Sequence, residues 1–387
     1  MIKPRQLILL TTLNLAILPI GMDVYSAVLS DLALAFDRDM AWAQYTLSTY
    51  LLGFAAAHLL IGPMGDRYGR KPVLLGGLLT FTVASAAAAA AQNLETIVLA
   101  RLVQGFGGAA GPIMARAIVR DLSTPQQAGR TLAWSIGWMG MVPLLGPWIA
   151  GVSAAALGWR APLWIIAAHG LLTLVAMFIL LPETLRRATG ERRSGAWLEA
   201  VRILAPDRAF RTWAACAALG YSGIALWVAN ASAMVLGRYG KPTSDFGLYF
   251  GLAVTGFVAG SFIAARLLRF IALRTVARVG AMCSAVSGAI LVALRLSGHD
   301  GALTASLGAI LFLMGWGLIQ PPAQAGAVGG HPEIASRASA IYGMTQLSVA
   351  AAATALLGPV ISGDPFRLGI AYCGIGVLVT ALLLRAR

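Results

Sequence analysis

Asp23 is the only acidic side chain well inside an apolar block of this 387-residue chain. A carboxyl group in such a place is costly, so it is expected to serve a function. Burial favours its neutral form, whereas a nearby arginine favours its ionised form. A carboxyl balanced in this way can exchange a bound proton for another ligand. Two other interpretations stay open: an interfacial acid wetted by outer solvent, or a static partner of Arg101.

Arg101 begins the segment Arg101-Leu102-Val103-Gln104-Gly105, which lies in the fourth apolar block. An arginine inside a membrane span costs about 2.5–3.5 kcal/mol on insertion scales, so it should face the interior and have a partner. Because it stands near the outer end of the block, its side chain could instead extend to the membrane interface. Gln104 lies one turn deeper on the same face and could bind cargo or hold Arg101.

These residues are carried by apolar blocks of about 20 residues, the length that crosses a hydrocarbon layer of about 30 Å. The chain is 58% hydrophobic and only 11% charged, whereas soluble domains carry about 25% charged residues. The sequence therefore predicts an all-α integral membrane protein with twelve spans. They fall near 7–30, 43–63, 73–91, 96–118, 131–153, 161–181, 211–236, 246–265, 276–296, 302–323, 338–360 and 368–385.

A polar stretch divides the predicted spans into two groups of six. We expect an N-terminal half over residues 1–182, a cytoplasmic central loop over 183–210 and a C-terminal half over 211–387. Two six-span halves are the plan of many secondary transporters. Small residues recur every four positions in spans eight and nine, which favours close helix packing where lipid supplies no hydrophobic drive.

The net charge of +14 does not indicate a nucleic-acid partner, because the basic residues lie between the spans and set membrane orientation. With a cytoplasmic N-terminus, most Lys and Arg residues lie inside. We therefore expect a multi-pass protein of a bacterial inner membrane with both termini in the cytoplasm. The basic residues on the opposite side are Arg38, Arg160, Arg238, Lys241, Arg295 and Arg367.

The loop after span two resembles the signature loop of the major facilitator superfamily. Residues 62–72 read Gly-Pro-Met-Gly-Asp-Arg-Tyr-Gly-Arg-Lys-Pro. The resemblance implies a conformational gate in which Asp66 pairs with Arg116, or with Arg120 as second choice, and contacts the start of span eleven. This cluster would lock the two halves on the cytoplasmic side. A basic loop that only caps helices is the alternative. The gate residues are Gly65, Asp66, Arg67, Gly69, Arg70, Arg116 and Arg120.

Two further segments are similar to motifs of the same family. Residues 101–110 resemble its fourth-span motif, which is associated with proton coupling and here would involve Asp23 and Arg101. Residues 142–151 resemble a Gly-Pro motif of its antiporters, in which Gly146, Pro147 and Gly151 would bend span five. A plain proline kink with packing glycines is the alternative.

The segment Met22-Asp23-Val24-Tyr25 resembles the first span of the bicyclomycin, chloramphenicol and florfenicol exporters, the twelve-span drug:proton antiporter branch. Arg120-Asp121 and Leu181-Pro182-Glu183-Thr184-Leu185 also match this branch. One departure is Ser26-Ala27, where those exporters have Leu-Pro, so the cargo can differ from theirs. The resemblance implies a proton-coupled exporter of small amphiphilic drugs, such as phenicol- or bicyclomycin-like antibiotics. Export of an endogenous siderophore or secondary product is the alternative, and an uptake symporter comes third.

Neither an ATP-binding loop nor a convergent set of catalytic or metal-binding residues is visible, so an ion gradient should supply the energy. We expect no enzyme activity, no cofactor and no metal, and a monomer in the lipid bilayer. Cargo would bind polar and aromatic side chains within the spans, although these could equally be belt or packing residues. The candidates are Asp23, Tyr25, Tyr45, Tyr50, Gln104, Trp138, Tyr221, Trp227, Asn230, Trp316, Gln320, Tyr342 and Gln346.

Overall fold

The computed structural model describes residues 3–184, 196–331 and 334–385, and no β-strand occurs among them. Twelve of the helices are long and apolar enough to cross a membrane, so the predicted number of spans is confirmed. They are Pro4–Val24, Met40–Tyr68, Arg70–Ala90, Leu94–Leu122, Arg130–Leu157, Arg160–Leu180, Arg208–Arg238, Thr243–Leu267, Leu273–Leu296, Ala302–Val328, Arg337–Ile361 and Pro365–Arg385, numbered here as spans one to twelve.

The chain separates into two compact units, Met1–Glu191 and Arg192–Arg387. Six spans belong to each unit. Part of the segment expected to be a central loop is helical, because a short helix covers Ala196–Leu204 and span seven already begins at Arg208. Residues 185–195 of that segment lie outside the described residues.

Span one ends earlier than its apolar run suggests. The helix Pro4–Leu15 is followed by a short turn with Pro19 and then by one π-helical turn over Ile20–Val24. A separate short helix covers Leu29–Ala35. The predicted end at residue 30 is therefore wrong, because hydropathy does not detect an interruption of the helix within an apolar run.

In the N-terminal unit, spans two and four pack backbone against backbone. A Cβ atom added at Gly53 would collide with the Leu102 carbonyl oxygen, and one added at Gly105 would collide with the Tyr50 carbonyl oxygen. Only glycine permits this approach. It places Tyr50 of span two beside the fourth-span segment that carries Arg101.

In the C-terminal unit, the predicted small-residue faces form close contacts with the backbone of neighbouring helices. A Cβ atom at Gly260 of span eight would collide with the Met314 carbonyl oxygen of span ten. One at Gly288 of span nine would collide with the Gly369 carbonyl oxygen of span twelve. Close backbone approach thus supplies dispersion contacts in the way expected for helices in lipid.

Candidate functional site

Asp23 lies in the π-helical turn of span one and is buried, with 7% of its surface exposed. Within the described part of the chain, its carboxyl group has neither a hydrogen-bond partner nor a basic ion-pair partner. The alternative of a static ion pair with Arg101 is therefore wrong. A π-helical turn is rare and often marks a functional site.

Arg101 faces the interior of the N-terminal unit and is only 1% exposed, so its side chain does not extend to the interface. The centre of its guanidinium group lies 4.0 Å from the Tyr25 ring centroid and 4.2 Å from the Tyr50 ring centroid. Two aromatic faces thus stabilise the cation. Its Nη1 donates to Gln104 Oε1 at 2.5 Å. Of the two roles considered for Gln104, this contact corresponds to holding Arg101.

The Arg101 guanidinium also holds the backbone of the π-helical turn. The Tyr25 N–H donates to the Met22 carbonyl oxygen instead of reaching Gly21. Arg101 Nη2 donates to the Gly21 carbonyl oxygen at 2.6 Å. A side chain of span four thereby satisfies a carbonyl whose helical donor has turned elsewhere, and a buried carbonyl needs such a partner.

Hydroxyl groups complete this cluster. Tyr25 and Tyr50 were predicted candidates, whereas no sequence pattern pointed to Ser85 or Thr46. Gln104 Nε2 donates to Ser85 Oγ at 2.6 Å, which brings span three into contact. The Tyr25 hydroxyl group donates to Thr46 Oγ1 at 2.6 Å, and the Tyr50 hydroxyl group donates to the Ile17 carbonyl oxygen at 3.0 Å. The structure therefore brings together Tyr25, Tyr50, Arg101 and Gln104.

The antiporter-like segment of span five packs against the π-helical turn. A Cβ atom at Gly146 would lie 3.0 Å from Val24 Cγ2, next to Asp23 in sequence. The helix Met141–Leu157 runs without a break through Pro147 and Gly151, and the interruption falls at Gly140. The bend expected at Gly146, Pro147 and Gly151 stays a prediction. The break at Gly140 follows from Pro143, which has no N–H to donate to the Met139 carbonyl oxygen.

The other candidate cargo residues are described unit by unit. Tyr45 and Trp138 are exposed. In the C-terminal unit, Asn230 Oδ1 accepts from the Gly363 N–H at 3.1 Å and its Nδ2 donates to the Leu226 carbonyl oxygen at 3.0 Å, which are packing roles. Trp227, Trp316 and Tyr342 are buried, whereas Tyr221, Gln320 and Gln346 are half-buried.

The loop between spans two and three forms an ion-pair cluster that differs from the expected one. Arg70 Nη1 lies 2.5 Å from Asp66 Oδ1, and Arg70 Nε lies 3.1 Å from Asp121 Oδ2. The expected pair between Asp66 and Arg116 is absent from the described residues, and Arg116 is exposed. Arg70 takes this place because the chain turns back at Gly69 and lays the buried guanidinium against Asp66.

Two remaining gate candidates lie at the surface of this unit. The Arg67 guanidinium lies 5.1 Å from the Tyr68 ring centroid, and Arg120 is exposed. Gly65 allows close packing, because a Cβ atom there would lie 2.5 Å from Met114 Sδ. No group of three or more potential metal ligands occurs among the described residues.

In the part of the chain that the structure describes, twelve apolar helices in two units of six define a polytopic membrane protein. The sequence profile of the Major Facilitator Superfamily matches residues 11–355. The chain belongs to this family. It therefore has a small-molecule substrate and works within a lipid bilayer.

Relatives of known name fall among drug-resistance proteins. The chain is 26% identical over 337 residues to a bicyclomycin resistance protein homolog of Haemophilus influenzae, covering 86% of this chain and 84% of that protein. It is 29% identical over 331 residues to a chloramphenicol resistance protein of Pseudomonas aeruginosa, covering 84% and 76%. It is 26% identical over 379 residues to multidrug resistance protein D of Escherichia coli, covering 97% and 94%.

A solved transporter structure has the same fold. The crystal structure of a D-xylose–proton symporter matches with a TM-score of 0.80 and 14% sequence identity, covering 98% of this chain and 97% of that one. At this identity the likeness describes the fold and not the substrate. The predicted major facilitator fold is confirmed.

Proposed function

We propose that this protein exports small amphiphilic drugs, such as phenicol- or bicyclomycin-like antibiotics, in exchange for protons. The observation that carries the proposal is the buried Asp23 carboxyl group, which has no partner among the described residues. The names of the drug-resistance relatives support the cargo class. The contact of Gly146 with the turn that holds Asp23 supports antiport.

In this mechanism Asp23 binds either a proton or cargo. A buried carboxylate is stabilised by a ligand that donates hydrogen bonds or carries positive charge, and protonation removes that attraction. Proton binding from one side therefore releases cargo there. Arg101 stays charged and keeps the turn in shape. Tyr25, Tyr50 and Gln104 are its supports and become cargo contacts only where the cluster opens.

The membrane potential can supply the energy for this exchange. One proton that crosses roughly 100 mV supplies about 2.3 kcal/mol, which corresponds to roughly a fifty-fold concentration ratio. We place the protein in a bacterial inner membrane, as a monomer with both termini in the cytoplasm, because the basic residues lie between the spans on that side. Asp66, Arg67 and Arg70 would then form a cytoplasmic gate with Gly65, Gly69, Arg116 and Arg120.

The test is proton movement in proteoliposomes that are challenged with phenicols, bicyclomycin-like drugs and lipophilic cations. We expect a cargo compound to dissipate the pH gradient with the native protein and not with Asp23→Asn. The matched control is Asp31→Asn, a half-buried acid of the short helix Leu29–Ala35, which should behave as the native protein. Native exchange by Asp23→Asn would move the proton site elsewhere and overturn this assignment.

Export of an endogenous siderophore or secondary product is the second candidate. The replacement of Leu-Pro by Ser26-Ala27 favours it, because the absent proline changes the start of the segment after the π-helical turn. This candidate would be supported if such a metabolite dissipates the pH gradient in the proteoliposomes and none of the drugs does. Proton-coupled uptake is the third, and the direction of cargo movement in the same vesicles distinguishes it.

A further inference from the structure

The segment Leu181–Thr184, which follows span six, lies against the start of span three. Span six ends at Leu180 and span three begins at Arg70. These two helices run in opposite directions, so the positive end of one dipole meets the negative end of the other. Each end carries backbone groups that have no partner within its own helix.

Glu183 satisfies the start of span three. Its Oε1 accepts from the Arg70 N–H at 3.0 Å, and its Oε2 accepts from the Lys71 N–H at 3.2 Å. A carboxylate at a helix N-terminus makes charge-assisted hydrogen bonds and complements the helix dipole. Glu183 therefore caps a helix that is distant from it in sequence.

Lys71 satisfies the end of span six in return. Its Nζ donates to the Phe178 carbonyl oxygen at 2.9 Å and lies 5.7 Å from the Phe178 ring centroid. A cation is favourable at a helix C-terminus. We call this reciprocal arrangement of Lys71, Phe178 and Glu183 the clasp.

Gly69 is the residue that lets the clasp close. Its φ angle of 106° lies in a region that side chains other than glycine rarely adopt. A Cβ atom at this position would also lie 2.5 Å from Glu183 Oε2. The turn that brings Arg70 to Asp66 and Asp121 thus also makes room for the Glu183 carboxylate.

We propose that Glu183 is a positioning residue for the gate loop. It fixes the Arg70 backbone while the Arg70 side chain pairs with Asp66 and Asp121. The clasp therefore holds the gate loop to the segment through which the chain leaves span six. The inference rests on the proposed gate, and it requires no particular cargo and no proton step.

The experiment measures how readily the gate loop opens. Cys216, Cys283 and Cys373 are replaced by alanine, and Val73→Cys, buried in the first turn of span three, is labelled with a maleimide in lipid nanodiscs. We expect Glu183→Ala to raise the labelling rate about fivefold, since a lost cap shifts such an opening equilibrium by this order. Glu199→Ala, an exposed acid of the helix Ala196–Leu204, is the matched control and should leave the rate unchanged.

Two further variants separate positioning from a simple ion pair. Lys71→Met should also raise the labelling rate. This variant replaces Glu183→Ala in the experiment if Glu183→Ala does not fold. The exchanged pair Glu183→Lys with Lys71→Glu should label at least as fast as Glu183→Ala, because each charge then faces the wrong helix end. Restoration of the native rate by the exchanged pair would overturn the proposal, as would native labelling of both single variants.

This outcome is independent of the proposed transport reaction. Labelling needs neither cargo nor a proton gradient, so its failure removes the clasp and leaves the exporter proposal intact. Failure of the Asp23→Asn experiment would conversely leave the labelling result intact. In vesicles, Glu183→Ala should lower the maximal transport rate about fivefold with little change in KM, because Glu183 is not among the candidate cargo residues.

Discussion

At the scale of single residues, Asp23 and Arg101 can be recognised as candidate functional residues from the sequence alone. Each is a charged residue inside an apolar run, and such residues are rare in membrane spans because their burial in lipid is costly. The partners of Arg101 are a different matter. They include the Gly21 and Thr46 carbonyl oxygens, and a carbonyl group occurs at every position of a chain. Ser85 was missed for a related reason, since serine is common in helices, where it bonds its own backbone.

Replacement of Arg101 by lysine tests whether shape or charge matters. Lysine keeps the positive charge but lacks the planar guanidinium group that donates to both Gln104 and Gly21. Its ammonium group also stacks less well between the two tyrosine rings. We expect cargo-driven proton exchange in proteoliposomes to slow by up to roughly a hundredfold, the loss that a displaced positioning group can cause. Arg38→Lys, in an exposed ion pair with Glu95, is the control and should retain native exchange. Native exchange by Arg101→Lys would mean that positive charge alone suffices.

At the scale of elements, apolar length predicts the spans but not their interruptions. The π-helical turn of span one and the break at Gly140 both lie inside runs that read as continuous helix. Both interruptions depend on which backbone hydrogen bonds form. For the break at Gly140, Pro143 is a local sequence signal, because proline has no N–H to donate. The small-residue faces of spans eight and nine were predictable because their four-residue period follows the helix.

The contact between spans two and four gives a stability prediction. Gly105→Ala places a methyl group against the rigid Tyr50 carbonyl group, so we expect a loss of about 1–3 kcal/mol. Gly76→Ala is the matched control, because a Cβ atom there meets nothing within 4 Å. The control should be neutral or gain up to about 1 kcal/mol from helix propensity. Thermal unfolding in detergent compares the two, and equal stability would contradict the packing account.

Asp207 gives a prediction that depends on pH. It caps span seven through the Ala209 N–H at 2.8 Å and contacts His331 Nε2 at 2.7 Å. The His331 hydrogen bond holds the pKa of Asp207 below its ordinary value. Its contribution to stability is therefore present above an unfolded-state pKa of about 3.9 and is lost as the pH falls through the lower folded-state pKa.

We therefore expect Asp207→Ala to lower the free energy of unfolding by about 1 kcal/mol at pH 7. The difference from the native protein should shrink as the pH falls below about 4. Melting temperatures at several pH values measure this. Glu199→Ala again serves as control, and a difference that grows as the pH falls below about 4 would have the wrong sign for this cap.

At the scale of the whole molecule, twelve spans could be predicted because every span meets the same apolar thickness. The division into two units also coincides with the polar stretch between spans six and seven. The short helix Ala196–Leu204 within that stretch was not anticipated. A helix of nine residues is too short to be distinguished from a loop by hydropathy or by intrinsic helix propensity.

Membrane orientation is testable with paired cysteines. Glu199→Cys should react with an impermeant maleimide only in inverted vesicles, and Asp39→Cys only in intact cells, because the bias of Lys and Arg predicts that these segments lie on opposite sides. Both positions are exposed. The opposite pattern would reverse the proposed direction of every proton and cargo step.

The presence of one titratable carboxyl group well inside the spans has an electrical consequence. If one proton enters for each neutral molecule that leaves, one positive charge moves inward per cycle, and both voltage and the pH difference drive efflux. If the cargo carries one positive charge, the two movements cancel and voltage has no effect. In alkaline medium, where the pH difference vanishes, cells should therefore still expel neutral compounds but should accumulate monovalent cations.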